Sequence, residues 1–419
     1  MKKLLYILLS FTLLVASGCK EYLDVNVDPN NPLDVKESLL LPPAELAISR
    51  SLMSGNIAWI TQQFMQVAAL NQPNPQIGTY RLLHTDIDGD WSSIYTDELI
   101  NLKILIDKAE KNDNYHYAAI AKILTAFTLG TTTDLWGDIP YSQALLGNEN
   151  FTAAYDSQED IYTAIQSLLD AAIADIGKSS LQAPGTDDYF YQGNMEQWQK
   201  VAYTLKARYA MHLTKAPGHT ASAQADIALQ ALTNGMIGND DDLQMVYPGA
   251  AGQENGWWFS FNPVSTSILA STFVDSLKAR NDPRLPIMVK PAEDTGLYTG
   301  RPIGTDVGVL TTYSIPSDMY SGIGATNYIL TYSEALFLKA EATLIKSGYA
   351  AAEPIYQEGI TAHMLKLGIS QANINTYLAS RGTLTDENAL QRIMEEKNVA
   401  NFLNIETFND WRRTGFPAI

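Results

Sequence analysis

The stretch Tyr332-Ser333-Glu334-Ala335-Leu336-Phe337-Leu338-Lys339-Ala340-Glu341-Ala342 decides the fold. It is almost entirely apolar between its two glutamates, and we place it in a helix within residues 328–347. Leu336 and Ala340 lie one helical turn apart, where the first helix of a tetratricopeptide unit carries its packing residues. The stretch therefore predicts a buried helix that needs a partner helix.

The expected partner is the next predicted helix, at residues 350–367. Ala352, Tyr356 and Gly359 repeat the small-large-small spacing of a tetratricopeptide second helix. The match is partial, because any closely packed pair of alanine-rich helices would show some of these spacings. Residues 332–367 thus indicate a helix pair without identifying the repeat type.

Helices dominate the rest of the chain as well. Leu99, Leu102, Ile106 and Ala109 recur at spacings of three and four residues, which predicts an amphipathic helix, and the alanine-rich residues 115–133 are its expected partner. Further helices are expected at 195–214, 219–234, 265–280 and 385–412. Two stretches rich in Gly, Pro, Asn and aromatic residues, 235–264 and 281–327, interrupt this pattern. The second is too long for an ordinary connection, so we expect functional loops or short strands there. The predicted fold class is mainly α, with large irregular excursions.

The N-terminus has the layout of an export signal. Two lysines are followed by a short apolar run and by Ala16-Ser17-Gly18, and Cys19 is the single cysteine of the chain. The segment Ala16-Ser17-Gly18-Cys19 resembles a bacterial lipobox, which implies a diacylglycerol thioether and a further acyl group on Cys19. We expect a removed signal peptide at 1–18, a lipidated tether at 19–35 and a single helical domain at 36–419. The alternative is an ordinary secretory signal in which Cys19 is incidental.

The charge balance excludes two classes of partner. The chain has 28 basic and 46 acidic residues, and loss of Lys2 and Lys3 with the signal leaves 26 against 46, a net charge of −20. Nucleic-acid binding needs clustered Lys and Arg, and so does attachment to anionic lipid. We expect no nucleic-acid partner and a membrane contact made through the lipid anchor only.

A family resemblance appears at Asp134-Leu135-Trp136-Gly137-Asp138-Ile139-Pro140-Tyr141-Ser142-Gln143-Ala144-Leu145. This motif resembles the SusD/RagB family of nutrient-binding outer-membrane lipoproteins, in its SusD-like branch. Four more segments agree in the same order: 28–32, 281–285, 332–342 and 406–415. Family members usually continue for several dozen residues past the last segment, whereas this chain stops at Ile419, which is consistent with a truncation.

The resemblance implies a mainly α fold of tetratricopeptide-like helix pairs with a large irregular, ligand-binding loop face, and it implies a function as well. It implies a surface-exposed protein that binds oligosaccharides, or peptides in some members. It also implies a partner, a TonB-dependent transporter of the SusC type, to which the ligand is delivered. No cofactor is implied.

Candidate ligand-binding residues lie in the two irregular stretches. Trp257, Phe259 and Phe261 alternate, which predicts a half-buried strand with Trp258 on its other face. An aromatic ring beside hydroxyl and amide groups suits a sugar. The alternative is that this whole cluster belongs to the core. The candidate ligand contacts are Trp258, Tyr298, Arg301, Tyr313 and Tyr320.

Enzyme chemistry finds no support in the sequence. The five histidines show no metal-ligand spacing, and the acidic run at 86–97 departs from a calcium loop because Trp91 replaces the required glycine. Glu334 and Glu341 could pair as a glycosidase acid and base, but two turns of one helix separate them, and partners such as Arg412 and Arg413 fit better. We predict a binding protein rather than an enzyme. The alternatives are a protein-binding helical scaffold and a surface glycoside hydrolase.

Overall fold

The computed structural model describes residues 35–262 and 266–419. The predicted signal peptide, Cys19 and the tether up to residue 34 lie outside this range. Within it, helices form most of the regular structure, and the predicted mainly α class is confirmed. None of the helices in the described residues is both long enough and apolar enough to cross a membrane.

The helices follow one another with few interruptions in the first half of the chain. They are α1 (Glu37–Ala47), α2 (Asn56–Phe64), α3 (Asp88–Ser93), α4 (Ile100–Lys111), α5 (Tyr115–Trp136), α6 (Gln158–Ile176), α7 (Met195–His212) and α8 (Ala221–Leu232). Two π-helical turns, Ile48–Leu52 and Ile94–Leu99, follow α1 and α3.

The second half combines short elements with a second set of long helices. Its helices are α9 (Gly256–Phe261), α10 (Ser271–Ala279), α11 (Leu285–Met288), α12 (Asp318–Ser321), α13 (Tyr332–Ser347), α14 (Tyr349–Lys366), α15 (Gln371–Arg381), α16 (Ala389–Ala400) and α17 (Glu406–Thr414). The irregular stretch 281–327 does contain short strands, as expected.

The strands form three two-stranded antiparallel sheets. β1 (Ala68–Leu70) pairs with β3 (Ser267–Leu269), β2 (Leu243–Met245) with β6 (Asn327–Leu330), and β4 (Val289–Lys290) with β5 (Ile315–Pro316). The β1–β3 and β2–β6 sheets join segments that are far apart in sequence. The β4–β5 sheet instead closes a loop within the irregular stretch 281–327.

Helix pairing depends on close approaches at small residues. On α14, Gly359 lies against Phe337 of α13, so that an added Cβ would be 3.0 Å from the ring of Phe337. On α5, an added Cβ at Gly130 would overlap Tyr209 of α7. Both glycines allow backbones to approach closely, which supports the predicted pairing of α13 with α14.

The prediction of one helix at 385–412 is wrong. The chain forms α16 and α17 with a turn at residues 401–405, where Leu403 adopts a φ of 61°. Asn404 fixes this turn, because its side chain accepts a hydrogen bond from the backbone N–H of Glu406 at 3.0 Å and donates to the carbonyl of Ile329 at 3.0 Å. A long-range contact therefore ends the helix.

Two apolar clusters make up most of the interior. The first contains side chains from the five helices α1, α4, α5, α6 and α7, such as Leu41, Leu102, Ile123, Ile165 and Leu205. The second joins α10, α11, α13, α14 and α16 through residues such as Phe273, Met288, Phe337, Tyr356 and Met394.

Buried ion pairs lie between these helices. Glu341 pairs with Arg413, as predicted, through a contact of 2.8 Å between Oε2 and Nη2. Glu334 pairs with Arg208 instead of Arg412, whose Nη2 donates to the backbone carbonyl of Asp134 and to the Asn409 side chain. The two carboxylates are 0% and 2% exposed, so both serve the packing of the helices.

Candidate functional site

The largest cavity described, about 620 Å³, lies between α9, β3 and the irregular stretch at 289–321. Its aromatic wall consists of Trp258 and Phe261 from α9 and of Tyr313 from the opposite loop. Trp258 and Tyr313 are half-buried, so part of each ring is accessible from the cavity. The structure thus brings two of the five predicted ligand-binding residues together.

The segment that carries Trp258 is a helix, and the strand prediction for it is wrong. The side-chain oxygen of Asn255 accepts the backbone N–H of Trp257 at 2.7 Å and starts α9 as an N-cap. Trp257 and Phe261, four residues apart, share its buried face. Phe259 is 45% exposed and does not join them. A short apolar run fits a helix or a strand equally, which explains the error.

Polar side chains surround the aromatic wall. Lys290 Nζ contacts Asp318 Oδ1 at 2.5 Å across the cavity rim. Thr311 Oγ1 donates to Asp294 Oδ2 at 2.7 Å. Ser267 accepts a hydrogen bond of 3.0 Å from the indole N–H of Trp59. Ring faces with hydroxyl, amine and carboxylate groups beside them can bind a neutral polyhydroxylated ligand by stacking and by hydrogen bonds.

A pair of asparagines holds the loop that leads to Tyr313. Asn71 donates to the carbonyl of Gly308 at 2.9 Å and accepts its N–H at 3.0 Å, while Asn74 donates to the carbonyl of Thr305 at 3.1 Å. Gly308 lies so close to Tyr313 that an added Cβ would be 2.6 Å from the phenol oxygen. The Tyr313 ring is therefore positioned before any ligand arrives.

The other three predicted residues lie elsewhere. Tyr298 is half-buried against the second core cluster. Arg301 is fully buried and donates from Nη2 to the carbonyl of Thr305 at 2.7 Å. Tyr320 is 6% exposed and meets Phe402 edge-on at 5.0 Å. These three residues do not line the cavity, and their ligand contacts stay a prediction.

Sequence reasoning missed the polar part of the cavity. Lys290, Thr311 and Asp318 belong to the irregular stretch already identified as functional, but no spacing distinguishes them from neighbouring polar residues. The sequence feature that could have indicated them is their position in a long loop rich in aromatic residues.

A second cavity, of about 500 Å³, lies on the other side of α9. Phe259 and Trp59 provide its aromatic surface, and Arg50 enters it from the π-helical turn after α1. The guanidinium carbon of Arg50 is 4.9 Å from the centre of the Phe259 ring. Arg50 Nη2 also contacts Glu254 Oε2 at 3.9 Å.

A third cavity, of about 250 Å³, is polar and lies where α5, α7 and α17 meet. His212 is placed between two carboxylates there, with Nδ1 3.2 Å from Asp134 and Nε2 2.8 Å from Glu406. Burial alone would lower the pKa of His212, but the charges of Glu406 and Asp134 outweigh it and raise the pKa to about 10. This imidazolium has ion-pair partners on both sides, which suits a structural role.

Acidic side chains of the run at 86–97 accept hydrogen bonds from neighbouring groups. Asp86 accepts the N–H of Leu83 at 2.8 Å, and Asp90 accepts the side chain of Asn56 and the N–H of Ile57. Within residues 35–262 and 266–419, no group of three or more His, Cys, Asp or Glu side chains is arranged to hold a metal ion.

Comparison with known proteins gives one family. A family model named SusD-like, described as "Starch-binding associating with outer membrane", matches residues 29–419. No match was found among curated proteins.

Three solved structures illustrate the likeness. A chitin-binding protein is 24% identical, with a TM-score of 0.80 over 92% of this chain and 88% of its own. A SusD/RagB family protein from Bacteroides thetaiotaomicron is 24% identical, with a TM-score of 0.76 over 91% and 88%. A chitin-binding SusD homolog from Flavobacterium johnsoniae is 23% identical, with a TM-score of 0.78 over 91% and 87%. At these identities the structures establish a shared fold.

Proposed function

The chain belongs to the SusD/RagB family, and from that premise we propose that it binds an oligosaccharide in the Trp258 cavity and delivers it to a TonB-dependent, SusC-like transporter. The observation that carries the proposal is the meeting of Trp258 and Tyr313 in one cavity with Lys290, Thr311 and Asp318 at its rim. Stacking rings supply affinity for sugar faces, and the polar groups satisfy the hydroxyls.

The ligand is captured and released without chemical change. The two glutamates that could have formed a glycosidase pair are buried and held by Arg208 and Arg413. A carboxylate engaged in this way has no access to a glycosidic bond. The proposal therefore excludes turnover at Glu334 and Glu341.

Isothermal titration calorimetry tests the binding step. We expect the purified protein to bind a hexasaccharide from the chitin or the maltodextrin series in the micromolar range, which corresponds to about −8 kcal/mol, because several stacking and hydrogen-bonding contacts act together. Chromatography of the same mixtures should show intact sugar. If the protein bound peptides from a mixed digest and none of the sugars, the ligand would be a peptide and not an oligosaccharide. Release of shorter sugars would contradict the binding role.

Attachment at the cell surface is the second part of the proposal. The lipobox-like segment ending at Cys19 supports a lipid anchor, and several acyl chains together hold a protein stably on a membrane. Expression of wild type and Cys19→Ser with labelled palmitate tests it. Wild type should carry the label, fractionate with the outer membrane and be degraded by protease added to whole cells. An unlabelled wild type would contradict the anchor.

The transporter is the third part. Mild detergent extracts of cells producing the tagged, lipidated protein should yield a large outer-membrane barrel protein in the purified fraction. Cys19→Ser provides the matched control, because without the anchor the protein is not held beside its partner. Purification of the lipidated protein alone would contradict the partnership.

A further inference from the structure

We propose that the bound oligosaccharide continues over α9 into the second cavity, where Phe259, Arg50 and Trp59 form an additional sugar subsite. This inference rests on the proposed function and extends it, because it makes the ligand a chain long enough to occupy both sides of one helix. It assigns a binding role to residues that the family resemblance did not indicate.

The first step of the argument is that α9 is a shared wall. Trp258 and Phe261 line the first cavity, whereas Phe259 and Ser260 line the second. The rings of Trp258 and Phe259 have centroids 5.3 Å apart and planes at 83°. The two rings meet edge to face, so a sugar chain that stacks on Trp258 has to turn around α9 before it stacks on Phe259, and only a chain of several units is long enough to do so.

The second step is that a hydrogen bond joins the walls of the two cavities. Trp59 lines the second cavity and donates its indole N–H to Ser267, which lines the first, at 3.0 Å. Ser267 opens β3, which pairs with β1. The two walls are therefore held at a fixed distance from each other, so that a sugar chain passing over α9 meets both in a defined arrangement.

The third step concerns Arg50 and the kind of sugar. Its π-helical turn places the guanidinium at the Phe259 ring, and π-turns of this kind often occur at functional sites. The contact with Glu254 is 3.9 Å long, and one long contact uses little of the five-donor capacity of an arginine. Because Glu254 balances the charge of Arg50, the subsite suits the hydroxyls of a neutral sugar rather than an acidic one.

The test compares ligand lengths in single variants. In whichever series the wild type binds, affinities for the disaccharide and the hexasaccharide are measured by calorimetry for wild type, Phe259→Ala, Arg50→Gln and Tyr189→Ala. We expect Phe259→Ala and Arg50→Gln to weaken the hexasaccharide about tenfold and to change the disaccharide less than about twofold, because only the longer ligand reaches Phe259. Tyr189 is 51% exposed and lines neither cavity, so Tyr189→Ala is the matched control.

Three outcomes would overturn the subsite. Equal losses for both lengths would place Phe259 in the first cavity, and unchanged affinity for both would remove it from the ligand. Either result leaves the proposed function standing. If the wild type binds no sugar of either series, the proposed function fails, and the subsite fails with it. Circular dichroism and thermal unfolding of each variant separate loss of binding from loss of folding.

Discussion

Arg208 of α7 and Glu334 of α13 form a bidentate ion pair in the protein interior, with Nε 2.7 Å from Oε1 and Nη2 2.8 Å from Oε2. Both side chains are almost completely buried. We expect Glu334→Gln to lower the free energy of unfolding by about 3 kcal/mol, because it removes the bidentate counter-charge of a buried guanidinium and leaves only Glu406, whose Oε2 is 4.0 Å from Nε. Urea unfolding measures the change.

A double variant provides the control for this pair. Arg208→Met combined with Glu334→Leu removes both charges at similar volume, and should recover much of the lost stability. A Glu334→Gln protein as stable as wild type would contradict the structural role of the pair.

The pH dependence of stability should report on His212. Its pKa is about 10 in the folded protein and about 6.5 when unfolded. The folded state holds this proton more tightly, so the stabilisation is fully present below about pH 6.5 and is lost as the pH rises through about 10. His212→Gln should be less stable by about 3 kcal/mol near neutral pH and should approach wild type above the folded pKa.

Urea unfolding across this range measures the difference, with the exposed His84→Gln as control. A difference between wild type and His212→Gln that stays constant with pH would contradict the assignment.

Replacement of Glu98 by glutamine should stabilise the folded protein. The side chain is fully buried in the π-helical turn Ile94–Leu99, and burial, assisted by the charge of Asp97, raises the pKa of its carboxyl to about 8. The unfolded chain releases this proton near the ordinary glutamate pKa of 4.5, so the wild type loses stability as the pH rises from about 4.5 to about 8.

Glu98→Gln removes this loss because an amide does not ionise. We expect equal stabilities at acidic pH and an advantage for Glu98→Gln of about 4 kcal/mol near pH 8. Thermal unfolding at both ends of the range measures it, with the exposed Glu149→Gln as control. A variant that is less stable at every pH would contradict the prediction.

The cavity residues give the prediction most directly tied to function. Trp258→Ala and Tyr313→Ala should each weaken binding of the hexasaccharide about tenfold, because each removes a stacking surface. Calorimetry measures this, and Tyr189→Ala again serves as control. Unchanged affinity in both variants would move the ligand away from this cavity.

The long helices were predictable because residues that are close in sequence carry the pattern required for their packing. In α5 small and apolar residues follow one another along the whole helix, and in α14 Ala352, Tyr356 and Gly359 repeat a small-large-small spacing. Both helices appear within a few residues of the expected positions. The turn at 401–405 has no such local sequence pattern. It depends on Asn404, whose carbonyl accepts a hydrogen bond from Gln62 at 3.0 Å, a contact that exists only in the folded chain.

The candidate site was predictable only in part. Trp258 and Tyr313 could be chosen because an aromatic ring beside hydroxyl and amide groups suits a sugar, but the same argument selected Tyr320, which is buried. Sequence alone does not show which loop residues turn inward. The contact between Lys290 and Asp318 joins positions 28 residues apart and follows from the fold rather than from any motif.

Contacts before and after α9, the helix between the two cavities, hold it in place. Asn255 is fastened to the carbonyl of Ala325 at 2.8 Å, and Ser267 lies in the β1–β3 pair. Replacements at its outward positions, Trp258 and Phe259, leave these anchors intact. The surface that α9 offers to a ligand can therefore be changed by exchanging a few outward side chains, while the contacts that hold the helix are kept.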